Sequence, residues 1–250
     1  MATASAVSTP ARAPYRHGLW WFVPFFLAMV VAFWPSYFSR IAQQPTYHAH
    51  AHGLAMILWC ALLIVQPLLV RLRRPALHRR IGTLSYLLVP LIVITTVNFI
   101  HFRVQGATQL GAVGLYVLAL ILNALVVFVI LFGLAIRHRR DRAVHSRYML
   151  CTIFPLFTPI TDRLIGAHMP FVAGLVPRID GAPILPTVGF LLADVLLIGL
   201  ALWDWRTNRR ADVFPVALGL LVAYHVSVLT FHRLPAWAAF GEWFAGLPLS

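Results

Sequence analysis

Long apolar stretches recur along the chain, and short polar or arginine-rich segments separate them. A helix needs about 20 apolar residues to cross the hydrocarbon core of a bilayer. The pattern therefore predicts an all-α membrane bundle of about seven spans, over 19–38, 50–70, 81–101, 110–136, 148–165, 186–203 and 213–231. It also divides the chain into a flexible tail (1–17), the membrane domain (18–232) and a tryptophan-containing tail at the membrane interface (233–250).

The arginine positions predict how these spans are oriented. Fifteen of the 20 arginines lie before span 1 or between spans 2 and 3, 4 and 5, and 6 and 7, and five lie on the other side. Because cytoplasmic loops are enriched in arginine, the N-terminus is predicted inside and the C-terminus outside. The lysine-free composition, rich in alanine and leucine, is typical of GC-rich bacteria and favours a bacterial inner membrane.

Composition narrows the choice of partners. The chain is 60% hydrophobic and 11% charged, whereas soluble domains have about 25% charged residues. A net charge of +13 would suggest nucleic acid in a soluble protein. Here the arginines cluster between apolar runs, so the lipid bilayer is the predicted partner and nucleic acid is not.

Histidines and carboxylates within the spans are the candidate chemistry. The predicted orientation places seven of the 11 histidines at the outer side. Side chains three, four or seven residues apart share one face of a helix. This spacing groups His48 with His52, Asn98 with His101, Thr158 with Asp162, and His225 with His232.

These groups are predicted to line one cavity in the outer half of the membrane, because charged groups at that depth face the bundle interior. Imidazoles with carboxylates suit a transition metal, and two imidazoles from facing helices suit haem iron. The predicted ligands are His52, His101 and His225 for a cofactor, and His48, His52 and His232 for a metal. Asp162 and Asp194 would accept hydrogen bonds or carry protons, and Arg163 would neutralise a carboxylate or a haem propionate.

Two other interpretations of the same polar groups remain open. The cavity could bind or transport a small molecule, with Arg163 as the anchor for an anion. Alternatively, Asp194 could pair with His225 or Arg163 in a structural network that needs no ligand. Pro155 and Pro159 predict a bend in span 5 that either opens a cavity or improves packing.

One segment carries a resemblance to a known family. HGLAMILW and the following LHRRIG resemble the first haem-bearing helix pair of the ascorbate- and ferric-reductase-like membrane b-type cytochromes. They also resemble uncharacterised bacterial multi-pass families with a His-Arg-x-x-Gly element. The similarity covers about 40 of the 250 residues. It implies haem b and electron transfer to a redox partner that the sequence does not identify, and it carries over His52 and His78 as ligands.

The chain departs from that cytochrome pattern. Those proteins hold four ligands in a four-helix core, and span 4 here contains no histidine. This departure is compatible with a single haem, held by His52 together with His101 or His225. His78 has a second interpretation, as a loop residue beside Arg79 that binds lipid phosphate or caps span 3.

A second resemblance is to the seven-pass hydrolases that include alkaline ceramidases and adiponectin-receptor-like proteins. They share the predicted orientation and carry three zinc-binding histidines, which His52, His225 and His232 could imitate. Their last span has His-x-x-x-His, whereas six residues separate the two histidines here, and Asn98 is nearest to their third-span aspartate. Whether the chain is an enzyme stays open.

Overall fold

Helices dominate the structure, a computed structural model that describes residues 18–43 and 46–249, and the predicted all-α class is confirmed. The predicted tail over 1–17 lies outside the described residues. Within them, the α-helices are α1 (Gly18–Phe33), α2 (Tyr47–Arg71), α3 (Pro75–Gly82), α4 (Ser85–Val104), α5 (Ala112–Arg137), α6 (Arg142–Cys151), α7 (Phe157–His168), α8 (Pro186–Asn208), α9 (Phe214–Thr230) and α10 (Pro235–Ala245).

Short elements connect these helices. The 3-10 helices of the described part are Phe38–Gln43, Phe154–Leu156, Pro170–Gly174 and Phe231–Arg233. Between α7 and α8, β1 (Arg178–Ile179) pairs antiparallel with β2 (Ala182–Pro183). This two-residue ribbon lies in the connection that the sequence assigns to the outer side.

Five stretches of the described chain are long and apolar enough to cross a membrane. They are Tyr47–Arg71, Pro75–Val104, Ala112–Arg137, Pro186–Asn208 and Phe214–Arg233. The apolar helix α1 is shorter, and the fifth predicted span is divided between α6 and α7.

Seven helices pack in a closed ring. Along the ring, α1 contacts α2, α2 contacts α4, α4 contacts α5, and α5 contacts α9. The ring closes because α9 contacts α8, α8 contacts α7, and α7 contacts α1. At its centre, Trp59 of α2 is fully buried and meets the rings of Phe128 and Phe132 edge-on.

The first span is shorter than predicted. The helix ends at Phe33 instead of continuing to residue 38, and Trp34–Tyr37 form a turn. Pro35 explains this end, because a proline disfavours the helical conformation of the residue before it.

The fifth span is broken into two helices. Helix α6 ends at Cys151, a 3-10 turn occupies Phe154–Leu156, and α7 begins at Phe157. Pro155 has no N–H to donate, and its ring clashes with the carbonyl four residues earlier, so it interrupts the helix. Pro159 lies inside α7 without breaking it.

The third span is preceded by a separate helix. The sequence predicts a span that begins at residue 81, with His78 at its start. Instead, His78 lies within α3, and Thr83 and Leu84 separate α3 from α4. This short helix brings His78 and Arg79 close to α2 and α6.

The C-terminal tail folds back on the bundle as α10. The indole N–H of Trp237 donates to the carbonyl of Leu115 on α5 at 3.0 Å. Gly241 allows close contact, since a Cβ there would lie 2.9 Å from the Leu115 side chain. Trp243 remains 60% exposed, and the predicted interfacial position of this tail stays a prediction.

Candidate functional site

Two of the histidines predicted at the outer side, His52 and His225, contact different polar partners. The Nδ1 atom of His52 lies 3.2 Å from the Thr96 hydroxyl, and the His52 ring stacks on Phe99. The Nδ1 atom of His225 lies 3.2 Å from Asp194 Oδ2. The structure therefore pairs His225 with Asp194, which is one form of the network that the sequence left open.

Two other histidines predicted at the outer side, His48 and His101, are buried against aromatic rings. His101 is fully buried and meets the ring of Phe244 edge-on at 5.3 Å. His48 is buried with its ring stacked on Tyr47 and Phe102. No group of three His, Cys, Asp or Glu side chains in the described part of the chain is placed to hold a metal ion. The metal and haem sets at the outer side stay predictions.

The other predicted polar residues form local contacts. The Nη1 atom of Arg163 lies 3.7 Å from Asp162 Oδ1 and donates to the carbonyl of Pro159 at 2.7 Å. The guanidinium carbon of Arg163 is 4.2 Å from the ring centre of Phe33. Asn98 is half-buried on α4.

His232 lies in the 3-10 turn after α9. Its Nε2 atom accepts a hydrogen bond from Arg233 Nε at 3.4 Å. This contact and those of Arg163 are local, so the polar residues that the sequence predicts at the outer side form separate pairs.

A cavity of about 850 Å³ lies at the arginine-rich end of the bundle, between α2, α3, α4, α5 and α6, and we call it the basic pocket. Its cationic lining consists of Arg73, Arg79, Arg139, Arg140 and Arg142, and two histidines, His78 and His145, lie among them. Its apolar lining includes Phe22, Leu62, Leu63, Pro67, Val70, Ile136, Met149 and Leu150. The arginines are exposed, whereas Leu62 and Leu63 are buried. The pocket therefore combines a cationic rim with apolar walls.

The positive charge of the basic pocket has no carboxylate partner in the described residues. No aspartate or glutamate lines it, and the ion pairs of the described chain all involve other arginines or His225. Asp141 is adjacent in sequence, but its Oδ1 atom caps α6 by accepting the N–H groups of Ala143 and Val144. The guanidinium groups of the rim are thus available to an anion.

Arg210 contacts Asp212 and Asp141, the aspartates of the loops before α9 and before α6. Its Nη2 atom lies 2.5 Å from Asp212 Oδ2 and 4.0 Å from Asp141 Oδ2. The hydrogen bond from Arg210 lowers the pKa of Asp212 below its ordinary value. This carboxylate is therefore charged at neutral pH and is already paired.

The two histidines of the basic pocket differ in which nitrogen carries the proton. His145 Nδ1 lies 2.8 Å from the carbonyl of Ala135, so Nδ1 donates, and in the neutral ring Nε2 is the nitrogen without a proton. The Gln66 amide forms three hydrogen bonds in its satisfied orientation: its nitrogen donates to His78 Nδ1 at 2.5 Å and to the His78 carbonyl at 3.2 Å, and its oxygen accepts from Gly82 N at 3.1 Å. Because His78 Nδ1 accepts in this orientation of the Gln66 amide, the neutral ring of His78 carries its proton on Nε2, which is then a donor.

This pattern bears on the predicted haem ligand His78. An axial histidine binds iron through an unprotonated nitrogen and donates its other N–H to a neighbour. His145 presents Nε2 for this role when its ring is neutral, whereas Gln66 donates to Nδ1 of His78. The haem role of His78 stays a prediction.

The basic pocket as a whole was not predicted from the sequence. The sequence counts its arginines as loop charges that set orientation. A usable signal was present, since LHRRIG and HRRDRAVHSR place histidines and arginines together beside apolar spans with a single carboxylate. The interpretation of His78 as a phosphate-binding residue agrees with its position in the lining.

Comparisons of this chain with protein-family models, with curated proteins and with solved structures found no match.

Proposed function

We propose that the chain is an inner-membrane protein that crosses the bilayer seven times, with the N-terminus inside and the C-terminus outside. Five long apolar stretches support this, and α1 and the α6–α7 pair complete the same ring of helices. The arginine distribution supports the orientation, since fifteen of 20 arginines would face the cytoplasm. The rim of the basic pocket then faces the cytoplasmic leaflet.

Cysteine labelling of intact cells tests the orientation. In Gly174→Cys, a membrane-impermeant maleimide added outside is expected to react, because residue 174 lies in the outer connection and is exposed. In Arg206→Cys, we expect reaction only after the membrane is opened. Cys60 and Cys151 are buried and should give little background. Labelling of Arg206→Cys from outside would contradict the proposed orientation.

We propose that the function of the protein is to bind an anionic amphiphile in the basic pocket. The observation that carries this proposal is the pairing of five unneutralised arginines with apolar walls in one cavity of about 850 Å³. Guanidinium groups bind phosphates and carboxylates through charge-assisted hydrogen bonds. The apolar walls gain free energy by covering a hydrocarbon part of the ligand. A ligand with a charged head and an apolar body matches both.

Two chain-matched amphiphiles of opposite charge test this proposal on the full chain in a neutral maltoside detergent. Dodecyl phosphate is expected to raise the melting temperature, and dodecyltrimethylammonium is not. Replacing Arg79 and Arg142 together by glutamine should weaken the apparent affinity for dodecyl phosphate about tenfold or more, because each removes charged hydrogen bonds. Melting curves at increasing amphiphile concentration give these affinities.

The matched control is Arg206→Gln. Arg206 is exposed near the end of α8 and does not line the pocket, so its replacement should leave the affinity unchanged. An equal response to both amphiphiles, or an equal loss in Arg206→Gln, would contradict the proposal.

Haem is also an anionic amphiphile, and the observation that favours it is the position of His145 in the basic pocket, where Nδ1 donates to a carbonyl and Nε2 would be left to bind iron. An absorption spectrum of protein purified from haem-replete cells distinguishes it from other amphiphiles. A Soret band that is present in the wild type and lost in His145→Ala would identify haem as the ligand. A band lost in His52→Ala would instead support the outer site predicted from the sequence.

A further inference from the structure

The basic pocket adjoins the surface that would face lipid. Val70 and Tyr86 both line the pocket, and they are 39% and 47% exposed. Leu72 and Leu84, which flank the same region, are each 58% exposed. A hydrocarbon chain that leaves the pocket beside Val70 and Tyr86 would therefore meet exposed apolar side chains of α2 and α4. This geometry suits a ligand that is itself a membrane lipid.

Most groups available to a bound headgroup are N–H donors. The hydroxyl of Ser146 donates to the carbonyl of Ala143, and that of Ser85 donates to the carbonyl of Gly82. Thr83 likewise donates to the carbonyl of Arg80. The remaining donors are the rim arginines, the Tyr86 hydroxyl and the Nε2–H of His78, whose tautomer Gln66 sets.

The number of donors and the charge of the rim indicate which headgroup fits. Each guanidinium carries five N–H groups, and a carboxylate offers two oxygens. A phosphate monoester offers three free oxygens and carries a charge of about −1.5 to −2 at neutral pH. A phosphodiester carries a single charge and has two free oxygens. The rim has five guanidinium groups and no carboxylate among its lining residues. Of the three headgroups, the monoester has the most oxygens and the highest charge, so it can form the most hydrogen bonds with these guanidinium groups.

Resting on the function proposed above, we propose that the basic pocket takes a phosphomonoester lipid from the leaflet on the arginine-rich side. The rim arginines and His78 Nε2–H bind the phosphate, and the acyl chains lie along the apolar walls and between α2 and α4. Gln66 is a positioning residue, because its amide keeps His78 in the tautomer that donates.

Native mass spectrometry of the full chain, released from phosphatidylcholine nanodiscs, tests this proposal. The nanodiscs contain dioleoylphosphatidic acid, dioleoylphosphatidylglycerol or oleate at equal mole fraction. We expect the wild type to retain one phosphatidic acid and to retain the other two lipids about tenfold less. Arg206→Gln should match the wild type, and Arg79→Gln with Arg142→Gln should lose about tenfold in retained phosphatidic acid.

The role of Gln66 has its own measurement. In Gln66→Leu, no amide donates to His78 Nδ1, so the neutral ring can carry its proton on either nitrogen. We expect about a threefold loss of phosphatidic acid and, in the lipid-free protein, protonated ¹⁵N signals of His78 from both Nδ1 and Nε2. The signal is assigned by its absence in His78→Phe. A loss of lipid without this tautomer change would overturn the positioning role.

The remaining outcomes separate this inference from the proposed function. Equal retention of all three lipids, with loss in the arginine variant, would overturn the phosphomonoester and leave an anionic-amphiphile pocket. Retention of none would overturn both. Competition by inorganic phosphate or glycerol 3-phosphate as strong as that by the lipid would overturn the lipid source and leave a site for the free ion.

Discussion

Replacing Arg147 by alanine is expected to lower the free energy of unfolding by about 3–5 kcal/mol. The Nε atom of Arg147 donates to Asp204 Oδ2 at 2.8 Å, and Nη2 donates to Asp204 Oδ1 at 2.6 Å. The exposed fractions of these two side chains are 0% and 2%. Removing one partner leaves the other charge buried without compensation, and this penalty exceeds the value of an exposed ion pair.

Two further hydrogen bonds surround the Arg147–Asp204 pair. Arg147 Nη1 donates to the carbonyl of Ala143, and Asn208 donates to Asp204 Oδ1 at 2.7 Å. In the alanine variant, Asn208 alone remains to satisfy the carboxylate. The double variant Arg147→Met with Asp204→Leu removes both charges and should recover most of the lost stability, because apolar replacements of a buried pair are often neutral.

Reversible unfolding in mixed dodecyl maltoside and sodium dodecyl sulfate micelles measures these effects. Arg206→Ala is the control, since Arg206 is exposed on the same end of α8, and it should change stability by less than about 0.5 kcal/mol. If Arg147→Ala cost no more than Arg206→Ala, the ion pair would not be the main link between α6 and α8.

The same arginine shows what the sequence could not resolve. The positive-inside rule assigns Arg147 to the cytoplasmic side by counting charges near span ends. Counting charges does not show which arginine is buried. Arg147 is buried because α6 folds against α5 and α9, and its partner Asp204 lies 57 residues away in sequence. Only the packing of helices brings these two groups together.

The outer histidines show a similar limit. Spacing along one helix predicts which residues share a face. It does not determine how a helix is rotated against its neighbours. The contacts of His52 of α2 with Thr96, and of His225 of α9 with Asp194, therefore follow from packing and not from spacing.

The breaks in the spans were predictable in kind, because proline acts through local sterics. Pro155 disrupts the fifth span as expected, whereas the effect of Pro35 on the first span was overlooked although it follows from the same sterics. The basic pocket depends on α3 and on the first half of α6, which the sequence assigned mostly to loops. Because both helices are short, the sequence pattern did not reveal that His78 and His145 line one cavity.

Gly189→Ala is expected to destabilise the bundle by about 1–3 kcal/mol, because α7 crosses α8 at this glycine. A Cβ at residue 189 would overlap the hydroxyl of Thr161 and would lie 3.1 Å from Thr158 Cγ2. It would also lie 3.3 Å from Thr158 Cα, which is backbone, so α7 itself would have to move. Small residues at helix crossings are how membrane helices gain van der Waals contact.

The same helix offers a matched control for this prediction. A Cβ at Gly199 would meet no atom within 4 Å, so Gly199→Ala should gain up to about 1 kcal/mol of stability from the lower backbone entropy of alanine. The double variant Gly189→Ala with Thr161→Ala should recover part of the loss, because it removes the Thr161 hydroxyl and leaves the contact with Thr158 Cα. The micelle titration used for Arg147 measures all three. Equal gains at Gly189 and Gly199 would show that α7 and α8 do not approach closely at Gly189, and the ring of helices would then need a different closure beside α1.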